Sequence, residues 1–189
     1  MLNDELGNKR SDIASVNQIP IAAASIAQVH EAVLSNGSDV VIKIQRPGIR
    51  KKVIDDLKVM AWVAPKLVGK IPVAALANPP ALVELFAETI CEELDFKLEV
   101  ANLFEIRRVL YSNLKQEWEI PDPELGLVTE RVIVMTKISG VSLGDSIAMG
   151  IDSASSSVVF RQMVEGLLEG AVIHGIFHGD FHAGNVFLN

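Results

Sequence analysis

The chain has 189 residues, 49% hydrophobic and 22% charged, a balance that suits one folded domain or two packed lobes and excludes a disordered segment. A net charge of -7, from 24 acidic and 17 basic residues, excludes a general nucleic-acid binder, which needs a basic stripe. Any anionic ligand must therefore be held by local groups against the overall field. The single cysteine, Cys91, excludes an intrachain disulfide framework and favours a reducing compartment.

The N-terminus, "MLNDELGNKR", is polar and carries no secretory signal. Residues 18 to 45 read as extended structure. "AAASIAQVH" at 22 to 30 places three alanines and a serine in a turn-like position, and "QVHEAVL" and "DVVIKIQ" are β-branched-rich strands. "SNGS" between those strands carries the Asn-Gly hairpin signal at Asn36 and Gly37. Alternation puts Lys43 on the face opposite Val40, Ile42 and Ile44.

Pro47 and Gly48 end the strand, and a helical pattern runs from about Ile49 to Leu67. "IPVAALANPP" reads as a loop. A long helical region follows from about Pro80 to Leu110, with Leu82, Leu85, Phe86, Ile90, Leu94, Leu98, Ala101 and Phe104 on one apolar face. "IPDPELG" is a proline-rich connector, "RVIVMTKI" a strand, and "SGVSLGD" a turn. Residues 155 to 173 form an apolar helix that feeds "HGDFHAGN" at 178 to 185.

The mean hydropathy of +0.32 is high, yet no run of about 20 uninterrupted apolar residues is present to span a bilayer. "VMAWVAPKLVG" is broken by Pro65 and Lys66, and the run from 71 to 87 by Pro72, Pro79 and Pro80. These segments read as buried helix faces, or as a surface that docks on a bilayer or on other parts of a longer protein.

Four constellations could carry chemistry. Lys43, inside an apolar strand, either guards a sheet edge or is a point charge for phosphate oxygens held by a carboxylate on a neighbouring helix. That carboxylate would come from "CEELDFKLEVAN", where Asp95 and Glu99 are one helical turn apart; spacing alone does not choose among Glu92, Glu93, Asp95 and Glu99. The alanine-rich turn allows close backbone approach to phosphates but resists positive φ, so it is stiffer than a glycine loop. In "HGDFHAGN", Asp180 could accept a hydrogen bond from a hydroxyl or water, and Asn185 could bind a metal through its side-chain oxygen. Gly184 would let the chain turn so that both face one site. A zinc stripe of His174, His178 and His182 competes with this reading, but Gly175, Gly179 and Gly184 disfavour the helix it needs.

With "AAASIAQVH", "VVIKIQRPGI", "EELDFKLEVAN", "VIVMTKISG" and "HGDFHAGN" in that order, the chain resembles the UbiB family of atypical kinase-like proteins over nearly its whole length. The resemblance implies an α+β, protein-kinase-like two-lobed fold. Residues 1–138 would be the N-lobe-like part, an antiparallel sheet with helices, and 139–189 the first, truncated part of a helical C-lobe. It makes Ala22, Ala23, Ala24 and Ser25 the phosphate loop, Lys43 the phosphate-binding lysine and Glu99 its helix partner. Glu93 and Asp95 would form an acidic motif that contacts a segment N-terminal to the kinase core. Met135, Thr136, Lys137 and Ile138 would lie beside adenine, Asp180 would be the catalytic acid and Asn185 a magnesium ligand.

The implied cofactors are ATP or ADP with magnesium. The implied role is phosphoryl transfer or ATP hydrolysis supporting ubiquinone biosynthesis. The implied partners are quinone-biosynthesis proteins or a membrane surface, on the cytoplasmic side, with no nucleic acid. The chain departs from the family at Thr136 and Lys137, where glutamate and an aromatic are usual, at Val100 for alanine, and at Ala183 for proline. It lacks the family's Lys-x-Gly-Gln segment, and no aspartate follows Asp180 to supply the Asp-Phe-Gly metal ligand. The expectation is therefore a fragment that is catalytically incompetent alone. The alternatives are a small-molecule kinase of the aminoglycoside or choline type, and a non-catalytic nucleotide-binding scaffold.

Overall fold

The polar N-terminus anchors itself through a few apolar side chains. Leu2–Leu6 forms helix α1, a 3-10 turn follows at Gly7–Asp12, and Ile13–Val16 forms strand β1, which the sequence reading passed over. Leu6 and Ile13 are buried, and Leu2 and Val16 pack beside them. The computed structural model describes residues 1–68, 70, 78–112, 119–150, 153–176, 179 and 182–188. Most of the expected loop at 71 to 80, together with His178 and Asp180, lies outside them. Two compact units are present: Met1–Glu99 with Pro123–Met135, and Val100–Asp122 with Thr136–Asn189.

In the first unit, β2 (Ala22–Ala23), β3 (Ala27–Leu34), β4 (Asp39–Gln45) and β5 (Val132–Thr136) join β1 in one sheet of order β1-β3-β4-β5, with β2 also pairing with β3. The pairs β1–β3, β2–β3 and β3–β4 are antiparallel. The β3–β4 hairpin closes over Ser35 to Ser38, where the Gly37 N–H donates to the Leu34 carbonyl at 2.9 Å. One sheet face carries Ala32, Leu34, Val40, Ile42, Val132 and Val134, buried against Leu6 and Leu127. Each large aliphatic side chain so placed stabilises the fold by about 1.5–3 kcal/mol.

The chain leaves β4 through a turn at Arg46 to Ile49, closed by the Ile49 N–H on the Arg46 carbonyl at 3.2 Å. Pro47 presets one central position, and Gly48 takes the other at φ 73, which a side chain would resist. Helix α2 (Ile49–Leu67) follows, with Pro65 tolerated in its last turn. Helix α3 (Pro79–Glu93) starts on two prolines and packs against α2.

The long helix expected from 80 to 110 is two helices, α3 and α4 (Phe96–Ser112), interrupted at Leu94 and Asp95. Asp95 is therefore not one turn before Glu99 on a common helix. It caps α4, its carboxylate accepting the Lys97 N–H at 3.0 Å. The break also resets the helical phase. Of the eight residues expected on one apolar face, only Leu94 is buried, while Phe96, Val100 and Val109 are the buried positions of α4 among the described side chains. Helices α2 and α3 likewise leave Val59, Trp62, Leu82, Leu85 and Phe86 exposed rather than buried.

In the second unit, "SGVSLGD" is not merely a turn. Val141–Ser142 forms β6 and Leu143–Ala148 helix α5. Ser142 caps that helix, its hydroxyl accepting the Asp145 N–H at 3.0 Å and donating to the Asp145 carboxylate at 2.7 Å. Helix α6 (Ser153–Glu169) runs into a π turn at Gly170–His174, closed by the Ile176 N–H on the Gly170 carbonyl at 2.9 Å. Strand β7 (Phe187–Leu188) returns antiparallel to β6. Leu143, Met163 and Val186 form the small core of this unit, with Ala183 and Leu188 packed against it.

Candidate functional site

Strand β4 lies between β3 and β5, so Lys43 is not an edge guard. Its alternating partners Val40 and Ile42 are buried on the opposite face. An ammonium at this position needs compensation, and α4 supplies it. The Lys43 amine donates to both carboxylate oxygens of Glu99 at 2.7 Å, with 24% and 35% of the two side chains exposed. The amine also stands 5.0 Å from the centre of the Phe96 ring, which is buried. Phe96 and Glu99 are one turn apart on α4, so ring and carboxylate flank the same cation. Geometry thus chooses Glu99 among the acidic residues of this segment.

The alanine-rich segment is placed by strand pairing. Ala22 stands opposite Val29, and Val29 opposite Lys43, so the three make one row across the sheet. In-register residues of antiparallel strands point to one face, which puts the Ala22 methyl on the side of the Lys43 amine. Ala24 donates its N–H to the Ala27 carbonyl at 2.9 Å, closing a tight turn over Ser25 and Ile26. The Arg46 guanidinium bonds the Ala24 carbonyl at 3.1 Å and braces that turn. Ala22, Ala23, Ala24 and Ser25 are all exposed, and none has positive φ. The loop takes the conformation that alanine permits.

Met135 bridges Pro123, in the connector before β5. Thr136 is tied to Asp122 twice: its N–H donates to the Asp122 carbonyl at 3.0 Å, and its hydroxyl accepts the Asp122 N–H at 2.8 Å. Arg107 adds an ion pair to the Asp122 side chain. Lys137 is exposed and Ile138 half-buried.

In the second unit the loop of His182 to Val186 docks on the start of α5. The Gly144 N–H donates to the Ala183 carbonyl at 3.0 Å, and the Leu143 N–H to the Val186 carbonyl at 2.8 Å. Asn185 is exposed, and its N–H donates to the His182 carbonyl at 2.9 Å. Gly184 is needed here for a reason other than the one expected. Its φ is not positive; instead, a Cβ would meet the His182 ring at 2.9 Å. The Gly184 N–H donates to His182 Nδ1 at 3.1 Å, which makes that nitrogen an acceptor.

Among the described residues no group of three histidine, cysteine or acidic side chains could hold a metal, and no helix is long and apolar enough to cross a membrane. The residues present fit a phosphate group at Lys43, a partly buried cation held by a carboxylate beside a strand of small residues. For magnesium, Asn185 offers an exposed amide.

Sequence reasoning missed Gln45. It is buried two residues from Lys43, and its side-chain amide donates to the Leu94 carbonyl at 2.8 Å and the Glu130 carbonyl at 3.2 Å. A polar residue closing an apolar strand was the available signal.

Residues 1–189 match the model of the ABC1 atypical kinase-like domain. A protein of Vibrio cholerae named as a probable protein kinase UbiB is 34% identical over 171 residues, which is 90% of this chain and 31% of that protein. The similarly named protein of Aliivibrio fischeri is 31% identical over the same share of each. The chain spans about a third of the length of these curated relatives. The solved complex of Rv3197 with erythromycin, from Mycobacterium tuberculosis, superposes with a TM-score of 0.78 at 29% identity, covering 99% of this chain and 46% of that one. The expected α+β, kinase-like fold is therefore the fold observed, with its antiparallel sheet and helices at the N-terminal end. Its lysine–glutamate pair, its row of small residues and these likenesses lead to one conclusion: the chain belongs to the family of ABC1 atypical kinase-like domains, with UbiB-named proteins among its relatives.

Proposed function

We propose that this chain is the nucleotide-binding part of a UbiB-type atypical kinase or ATPase. The observation that carries the reading is the Lys43 amine held on both oxygens of Glu99 at 2.7 Å. In this reading Lys43 holds the phosphates of ATP or ADP as a point charge, and Glu99 keeps it aimed. The exposed backbone of Ala22 to Ser25 lies against the phosphate tail, and Met135 to Ile138 lie beside adenine. Asp180 would orient the attacking hydroxyl or water and accept its proton as the bond from the γ-phosphorus to the leaving ADP oxygen breaks, and Asn185 would give an oxygen to magnesium. That ion, when bound, would neutralise charge on the phosphate oxygens. The resemblance to the UbiB family extends this reading to a role in isoprenoid quinone biosynthesis, with quinone-biosynthesis proteins or a membrane surface as the partners to test.

The test is titration with a fluorescent ATP analogue, with magnesium present, for the chain and its Lys43→Ala variant. Saturable binding by the chain and its loss in the variant support the reading. Equal binding by the two, with both folded, removes it.

A further inference from the structure

Gln45 is 1% exposed and sits on the central strand of the sheet. Its amide donates to carbonyls of two distant segments, Leu94 at 2.8 Å and Glu130 at 3.2 Å. Leu94 is where α3 ends, and Glu130 lies just before β5. The Glu130 carbonyl also accepts the N–H of Phe96, the first residue of α4, at 3.0 Å. One side chain thus ties the sheet to Leu94, just ahead of α4, and to the Glu130 carbonyl that also receives the first N–H of α4, and it spends both amide hydrogens doing so.

Among the described residues, the oxygen of the same amide is buried without a hydrogen-bond partner. An unsatisfied buried acceptor is destabilising, and an apolar side chain of similar length would avoid it. The donors therefore account for a glutamine at this position. Gln45 and Lys43 project from one face of β4. Lys43 grips Glu99 on the first turns of α4, while Gln45 grips the carbonyl of Leu94 just ahead of them.

We infer that Gln45 is a positioning residue: it sets the start and rotation of α4 so that Glu99 meets the Lys43 amine. Its functional consequence rests on the reading that this pair binds nucleotide phosphate. Removing the amide takes away the tie at Leu94 and leaves the Phe96 N–H on the Glu130 carbonyl, so the beginning of α4 is held less firmly and the carboxylate is less sharply placed beside the cation.

The experiment uses Gln45→Met, which keeps the length and removes both donors. Binding of a fluorescent ATP analogue is measured for the whole chain in two backgrounds. The substitution is expected to weaken binding about tenfold in the natural chain, but less than about twofold when Glu99→Gln is already present, because a residue that acts through Glu99 has little left to act on. A general loosening would weaken both backgrounds equally, and that result overturns the assignment. If the natural chain binds no nucleotide, the phosphate reading fails by itself, and the positioning role is judged on the NMR resonance of the Lys43 ammonium beside the Phe96 ring. Movement of that resonance towards free lysine in Gln45→Met supports the role, and an unmoved resonance overturns it. If Gln45→Met does not fold, the natural chain decides. Side-chain amide protons of Gln45 as protected from exchange as the Phe96 N–H support the tie, and exchange at solvent rates overturns it.

Discussion

The amine of Lys43 lies 2.7 Å from both carboxylate oxygens of Glu99, across 56 residues of chain. The two side chains are 24% and 35% exposed, so the contribution of the pair to stability is modest, about 1 kcal/mol. Lys43→Met should therefore melt within a few degrees of the natural chain while losing about tenfold or more in nucleotide affinity. Calorimetry and a binding titration check the two halves separately. A variant that keeps its affinity would remove the lysine from the phosphate site.

Gly170 and Gly184 both sit against a neighbour, with consequences of different size. A Cβ on Gly170 would lie 2.7 Å from the backbone oxygen of Ile176, which cannot swing aside. Gly170→Ala should destabilise by about 2–3 kcal/mol, seen as a lower denaturant midpoint with an unchanged slope.

A Cβ on Gly184 would instead meet the ring of His182, a side chain able to rotate. Gly184→Ala should reduce stability by less than about 1 kcal/mol. It should, however, displace the ring and break the bond from the Gly184 N–H to His182 Nδ1. Nitrogen NMR of the ring checks this, since Nδ1 then loses its donor.

Asp55 carries a pH signature. Hydrogen bonds from Lys51, and secondarily from Lys58, hold its carboxyl below the ordinary value of 3.8. A carboxyl lowered by folding stabilises the fold above its unfolded pKa, and that contribution disappears as pH falls through the lowered folded value. The melting temperature of the natural chain should exceed that of Asp55→Asn near neutrality, and the difference should shrink to nothing on acidification below about pH 4. Lys51→Ala should move the Asp55 titration midpoint upward more than Lys58→Ala does.

Local signals made the β3–β4 hairpin, β5 and the second helix legible, but not β1. Period-two alternation and the Pro47–Gly48 stop mark β4, and the helix expected from Ile49 to Leu67 is the one found. The break at Leu94 and Asp95 escaped, because apolar residues keep a three-to-four spacing straight across it. The missed sign was Asp95 itself, a capping residue type ahead of the renewed helical run. That break decides the site, since it turns Phe96 and Glu99 inward and leaves Leu98 outward. The two acceptors of Gln45 were beyond reach for a different reason. Both are backbone carbonyls, 49 and 85 residues away, and any residue type could have supplied them.

Strand β4 serves two masters on alternate sides: Val40 and Ile42 fill the interior, while Lys43 and Gln45 engage α4 and its approach. Deleting or inserting one residue between the two pairs would turn one pair to the other side, driving an ammonium into the apolar interior or an isoleucine against a carboxylate. In a library of length variants, this short stretch should tolerate none, whereas the Ser35–Ser38 tip of the same hairpin should accept several.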